Sequence, residues 1–114
     1  MTKQIIKRAG RMHKPPHPGM VLREMHLKPR GLTVTDFADQ IGMERKSVSR
    51  LVNERCSVSP EMALRLSKLL GTSADLWINL QSTYDLWHAE QTISAELKAI
   101  KPLPTLEMGQ AAGA

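Results

Sequence analysis

Aromatic side chains are scarce in this chain of 114 residues, which contains one Phe, one Tyr and two Trp. Because strands are filled largely by aromatic and β-branched residues, this shortage favours helices packed through aliphatic and methionine side chains. The single cysteine, Cys56, excludes an intrachain disulfide and fits a reducing compartment. No apolar run reaches the roughly 18 residues of a membrane span, and the basic N-terminus lacks the apolar stretch of a secretory signal. We therefore expect one small helical domain in the cytoplasm.

Motifs for catalysis and for metal binding are also missing. His13 and His17 are four residues apart, but the two prolines between them deny the helix that would aim both rings at one metal. His26 and His88 stand alone, and no glycine-rich phosphate loop or nucleophile motif occurs. We expect no enzymatic activity, no metal and no cofactor.

Positive charge is concentrated in two places. Residues 1–23 contain six Lys or Arg and no acid, whereas residues 24–114 contain ten cations and eleven acids, which together give the net charge of +5. Within the second part, four cations lie close together at Arg45, Lys46, Arg50 and Arg55, and residues 56–114 are net negative. A basic arm and one basic helix on a mildly acidic body indicate a polyanionic partner that is met on one face.

The segment TVTDFADQIGMERKSVSRLVNE, from Thr33 to Glu54, has the pattern of two short helices joined by a tight turn. In the first helix, apolar residues at helical spacing predict one buried face: Val34, Phe37, Ala38 and Ile41. Thr33 is suited to cap the N-terminus of this helix, and Gly42 to end it by adopting a positive φ. Glu44 is a poor cap for the second helix, so the start of that helix stays open by one residue.

The second helix is predicted to turn its cations outward. Its apolar residues recur at i, i+3 and i+4 and face inward: Val48, Leu51 and Val52. The opposite face has the pattern of a helix that reads bases in the major groove of DNA. There, one arginine can donate two hydrogen bonds to a guanine, which favours this base over the others by about 1–3 kcal/mol. The alternative is an ordinary solvated face. The predicted DNA-binding residues of this helix are Arg45, Lys46, Ser47, Ser49, Arg50 and Asn53.

The remaining sequence divides into an arm, a domain and a tail. Residues 1–17 are predicted to form a flexible basic arm, residues 18–100 the folded domain and residues 101–114 a disordered tail. Pro18 suits the first turn of a first helix, and Ser59 with Pro60 begins a fourth helix that Gly71 ends. We predict a fifth helix that opens at Thr72, with Asp75 three residues later, and reaches at least Trp87. The prediction is therefore an all-α fold of five helices.

Aromatic and aliphatic residues form a stripe along the predicted fifth helix. Its members recur at spacings of three or four: Trp77, Leu80, Tyr84 and Trp87. Either all four belong to the core, or Trp77 and Leu80 are core and the other two face a partner. We favour a partner interface that includes the stripe, because two copies of a helix-turn-helix unit are needed to span half-sites about 34 Å apart, and a two-fold dimer provides them.

With these residues in hand, the chain resembles the HigA-type antitoxins, which belong to the Xre class of helix-turn-helix proteins and include virulence-associated proteins. The resemblance covers His17 to about Trp87 and rests on three segments: HPGMVLREMHL, RKSVSRLVN and SPEMALRLSKLLGTSADLWINLQSTYDLW. It implies a small lambda-repressor-like fold that dimerises and represses its own operon at a palindromic operator. It also implies a protein partner, a HigB-type toxin that is an mRNA endoribonuclease.

Mapped onto the Xre motif, the base-facing positions fall on Arg45, Lys46 and Arg50. Val34 departs from the polar residue often found at its position, so the resemblance assigns the phosphate contact to Thr33, Thr35 or a backbone N–H. The basic arm could wrap the toxin, enter the minor groove or do neither. Two other hypotheses stay open: a protein that mainly inhibits a basic RNase through its net-negative C-terminal half, and a solitary transcription factor without a toxin.

Overall fold

The computed structural model describes residues 13–106, and within this part of the chain six helices and no strand are present. Helix α1 comprises Pro18–Leu22, a wide π-helical turn at Arg23–Leu27 and a last turn at Lys28–Arg30. The others are α2 (Val34–Ile41), α3 (Arg45–Val52), α4 (Pro60–Leu70), α5 (Ala74–Thr92) and α6 (Ser94–Ala99). The all-α prediction is confirmed. None of these helices is long and apolar enough to cross a membrane.

Helix α1 begins at Pro18, as predicted, but its cap was not foreseen. The Nδ1 atom of His17 accepts a hydrogen bond from the backbone N–H of Gly19 at 2.9 Å. The imidazole is buried, and this burial lowers its pKa, while Glu54, the Cys56 backbone and Asp85 act in the opposite direction. The π-helical turn lies just before Pro29, which has no N–H for a bond to the carbonyl four residues back. The wider turn accommodates that missing bond.

The core sits where α1 to α5 meet. Most of its side chains are aliphatic, as the composition predicts, but within residues 13–106 only one methionine, Met62, is buried in it. Its largest fully buried side chains are Trp77, Phe37, Leu22, Leu66 and Val48. One buried polar residue, Gln81, joins distant parts of the chain: its Oε1 accepts from the backbone N–H of Val58 at 2.9 Å, and its Nε2 donates to Asp85 at 3.0 Å. The loop between α3 and α4 is thereby fastened to α5.

Two details of the C-terminal half correct the prediction. The cap of α5 is Ser73, whose Oγ accepts from the backbone N–H of Leu76 at 3.0 Å. Thr72 instead accepts from the indole Nε1 of Trp77 at 2.8 Å, which removes its hydroxyl from the capping role. Helix α5 passes Trp87, as predicted, but the backbone leaves helical geometry at Ile93, and a sixth short helix that was not predicted follows. Residues 100–106 follow α6 without regular structure and are exposed.

The predicted arm and tail fall largely outside the described residues, since positions 1–12 and 107–114 are not part of them. Of the arm, residues 13–17 are described. They lie against α5, where the imidazole of His17 contacts the ring of Tyr84 edge-on at 4.8 Å between centroids and the Nζ of Lys14 lies 6.0 Å from the same ring.

Candidate nucleic-acid interface

Helices α2 and α3 form the helix-turn-helix that the sequence predicts. Thr33 caps α2 by accepting from the backbone N–H of Asp36 at 3.0 Å, and Gly42 ends it with a φ of 75°. Helix α3 starts at Arg45, and the Glu44 side chain makes no capping hydrogen bond. The open question about the start of α3 is thus answered, with Glu44 in the cap position and extended in its backbone.

The two faces of α3 separate as the spacing predicts. Its apolar residues are buried in the core: Val48, Leu51 and Val52. Lys46 and Arg50 are exposed, and within residues 13–106 neither side chain has a hydrogen bond or an ion pair. Their charges are therefore available to an external anion, and their long side chains can adjust to it.

Two other predicted contact residues of α3, Arg45 and Asn53, are hydrogen-bonded within the protein. Arg45 is exposed and donates from its Nε to the Oγ1 of Thr35 at 3.0 Å, which links the first turns of α3 and α2. Asn53, at the C-terminal end of α3, donates to the carbonyl of Ser49 at 2.8 Å. Ser47 and Ser49 are half-buried. An arginine carries five N–H donors, so the bond to Thr35 leaves Arg45 four with which to bind a phosphate or a base.

Several residues that hold this face in place were missed at the sequence level. Arg23 of α1 donates to the Val52 carbonyl and lies 3.5 Å from the carboxylate of Glu54. Glu54 itself has a φ of 61°, in the left-handed region, where it ends α3 in place of a glycine. No local pattern could have indicated the ion pair, because it joins residues 31 positions apart.

Arg65 holds the turn between the two motif helices. Its Nη1 donates to the carbonyls of Ile41 and Gly42, both at 3.1 Å, and so satisfies acceptors that the end of α2 leaves without helical partners. The same guanidinium pairs with Glu61 one turn earlier on α4. Of these contacts, only the ion pair between Arg65 and Glu61 could be expected from the sequence, because the two residues have i, i+4 spacing on a helix.

Helix α5 requires one correction to the predicted partner interface. Trp77 is 0% exposed and lies in the core of its own chain, so it is not available to a partner. Both alternatives that the sequence left open place Trp77 in the core, so only its inclusion in the partner interface is wrong. Leu80, Tyr84 and Trp87 are half-buried. Exposed apolar side chains flank this stripe along α5 and α6: Leu76, Leu86, Ile93 and Leu97.

Comparisons with known proteins agree with this architecture. The helix-turn-helix family matches residues 24–77. Virulence-associated protein A of Dichelobacter nodosus is 37% identical over 99 residues, which make up 86% of this chain and 97% of that protein. The uncharacterized HTH-type transcriptional regulator YbaQ of Escherichia coli K12 is 37% identical over 91 residues, 80% and 79% of the two chains. Antitoxin HigA-1 of Vibrio cholerae is 33% identical over 90 residues, 79% and 85%.

Solved structures point to the same family. Antitoxin GraA superimposes with a TM-score of 0.76 at 38% identity, covering 80% of this chain and 99% of the other. GraA in complex with its operator gives 0.75 at 38% identity, with 81% and 94% covered. The Pseudomonas aeruginosa antitoxin HigA with the higBA promoter gives 0.76 at 33% identity, with 79% and 99% covered. The chain therefore belongs to the Xre-type helix-turn-helix family that contains the HigA antitoxins and the virulence-associated proteins.

Proposed function

We propose that this protein is a sequence-specific DNA-binding antitoxin that represses its own operon in the cytoplasm. The observation that carries the DNA-binding part is the exposed face of α3, on which Lys46 and Arg50 have no partner within residues 13–106. Relatives named as antitoxins, two of them solved with operator or promoter DNA, support the same reading.

In this proposal the side chains of α3 contact different parts of the DNA. Arg50, one turn into the helix, reads a guanine through its free guanidinium. Arg45 and Lys46 occupy the first turn, where Arg45 is held by Thr35 and directed at the backbone or the edge of a base. Thr33 and Thr35 stand at the N-terminus of α2, where hydroxyl and backbone N–H groups suit a phosphate. Ser47, Ser49 and Asn53 complete the surface.

A palindromic operator requires two reading helices related by a two-fold axis. We propose a homodimer formed through α5, with Leu80, Tyr84 and Trp87 at the interface. The half-buried state of these three side chains in one protomer, and the exposed Leu76 and Leu86 beside them, support this assignment. Such a dimer covers apolar surface that a monomer leaves in water.

DNA binding is tested by fluorescence anisotropy with the promoter of the gene. We expect Arg50→Ala to weaken specific binding by about 1–3 kcal/mol, because the discriminating hydrogen bonds are lost. Lys46→Ala should weaken binding to all sequences and reduce the slope of log K against log salt by about 0.9. Lys68→Ala, which removes an exposed cation from α4, is the matched control. If both α3 variants bind like the wild type, α3 is not the reading helix.

The proposed protein partner is a HigB-type toxin, an mRNA endoribonuclease, encoded beside this gene. Expression of the small neighbouring reading frame should arrest growth, and co-expression of this chain should relieve the arrest. Relief by a variant with alanine at Arg45, Lys46 and Arg50 would separate neutralisation from DNA binding. Arrest that this protein does not relieve would leave a solitary transcriptional regulator, the function suggested by its similarity to YbaQ.

A further inference from the structure

The most exposed apolar side chains of the described chain lie in its last seven residues. Residues 100–106, here called the C-terminal arm, have no regular structure, and Ile100, Leu103 and Leu106 are 66%, 89% and 70% exposed. Pro102 and Pro104 restrict the backbone between them and remove two N–H donors. An apolar segment that is already kept extended loses little conformational entropy when it binds a surface.

A pocket with complementary chemistry lies on the other end of α5. It has a volume of about 170 Å³ and is lined by Pro15, Pro16, Leu76, Asn79, Leu80 and Thr83. Its walls are mostly aliphatic, and a volume of this size accommodates an aliphatic or aromatic side chain. Asp75, in the first turn of α5, is exposed beside it. The opposite charge is carried by Lys101 in the C-terminal arm and by Lys98 near the end of α6, both of which are exposed.

The C-terminal arm does not occupy this pocket of its own chain. Leu103 is 89% exposed, and none of residues 100–106 lines the pocket. The backbone leaves helical geometry at Ile93, between α5 and the short helix α6 that carries the arm. The leucines of the arm are therefore free to bind another surface.

We infer that the C-terminal arm of one copy docks Leu103 into the pocket at Pro15, Pro16 and Leu80 of a second copy. An antiparallel two-fold arrangement of α5 brings the end of one helix next to the beginning of the other, which places Lys98 and Lys101 near Asp75 of the second copy. The exchange is reciprocal, so two arms fill two pockets. This inference rests on the homodimer of the proposed function and assigns it a second, peripheral contact.

The decisive experiment is a disulfide trap between two differently tagged copies in a Cys56→Ser background. A copy with Leu103→Cys, mixed with a copy with Asn79→Cys, should form a heterodisulfide under mild oxidation. Mixing Leu103→Cys with Leu64→Cys, which places a thiol on the exposed face of α4, should not. A disulfide to position 64 in place of position 79 would overturn the inference, because the arm would then contact α4 and not the pocket on α5.

The dimer dissociation constant gives the second readout. Leu103→Ser combined with Leu106→Ser should raise it by about 10-fold or more. Leu64→Ser, the loss of another exposed leucine on α4, should leave it unchanged. A dimer that keeps its affinity without the two leucines and forms no disulfide to position 79 overturns the arm exchange alone. A wild-type chain that stays monomeric overturns the arm exchange together with the proposed homodimer.

Discussion

Replacing Gly19 by alanine tests how rigidly α1 holds the helix that we propose reads DNA. Gly19 is buried in the first turn of α1, against the end of α3. A Cβ at this position would lie 1.8 Å from the carbonyl oxygen of Leu51 and 2.8 Å from its carbon. Close carbon–oxygen contacts in proteins are about 3.3–3.6 Å. The two helices would therefore have to separate by roughly 1.5 Å, the difference between those distances.

The energetic cost should lie at or above the upper end of ordinary overpacking, which is about 1–3 kcal/mol. The obstacle is backbone, and the Leu51 carbonyl accepts from the N–H groups of Asn53 and Glu54, so it cannot rotate away. The better helix propensity of alanine returns about 0.5–1 kcal/mol. We expect a net loss of at least about 2 kcal/mol, a large part of the 5–15 kcal/mol typical of a folded domain.

Urea unfolding followed by circular dichroism measures this loss, and Gly71→Ala is the matched control. Gly71, unlike Gly19, has a positive φ, 75°, and nothing lies within 4 Å of a Cβ there. That substitution should cost about 1–2 kcal/mol through the left-handed backbone alone. A smaller loss for Gly19→Ala than for Gly71→Ala would refute the argument that backbone contact between α1 and α3 sets the position of the reading helix.

Three further predictions concern stability. Burial keeps the His17 pKa below the unfolded value near 6.5, so the unfolded chain binds more protons below that pH. The free energy of unfolding, measured by denaturant titration, should therefore fall as the pH drops below that value. His17→Gln should reduce this pH dependence, whereas His13→Gln, at an exposed position, should not. Arg65→Met should lower the free energy of unfolding by about 1–2 kcal/mol, because two carbonyls lose their donor, whereas Lys68→Met should have little effect. Glu54→Gly should raise stability by about 0.5–1 kcal/mol, since relief of the left-handed backbone outweighs a half-exposed ion pair; a loss in the same assay would show that the pair dominates.

The helices with local signals were predictable from the sequence. Thr33 and Ser59 cap their helices, and Gly42 and Gly71 end theirs, because such signals act within a few residues. The two faces of α3 followed from periodicity for the same reason. Pro18 in the first turn of α1 belongs to this group too.

Contacts between distant residues were not predictable from these signals. Trp77 and Tyr84 share one stripe of α5, yet only the first is fully buried, since burial depends on which helices pack over each turn. The bond from the N–H of Val58 to the side chain of Gln81 spans 23 residues, and the bond from Arg65 to the Ile41 carbonyl spans 24. Neither contact produces a periodic pattern in the sequence. The π-helical turn in α1 results from Pro29, and the sequence alone indicates at this proline only the end of a helix.

The proposed reading face combines free side chains with a fixed backbone. Lys46 and Arg50 have no partners within residues 13–106, so replacing them should alter DNA affinity and leave stability nearly unchanged. The helix that carries them is held at its first turn by the bond between Arg45 and Thr35 and at its last turn by Arg23. A helix positioned before binding loses less entropy when it enters a groove. Arg23→Met should therefore weaken DNA binding and stability together, although Arg23 lies outside the face; a variant that loses affinity at full stability would instead place Arg23 in contact with the DNA.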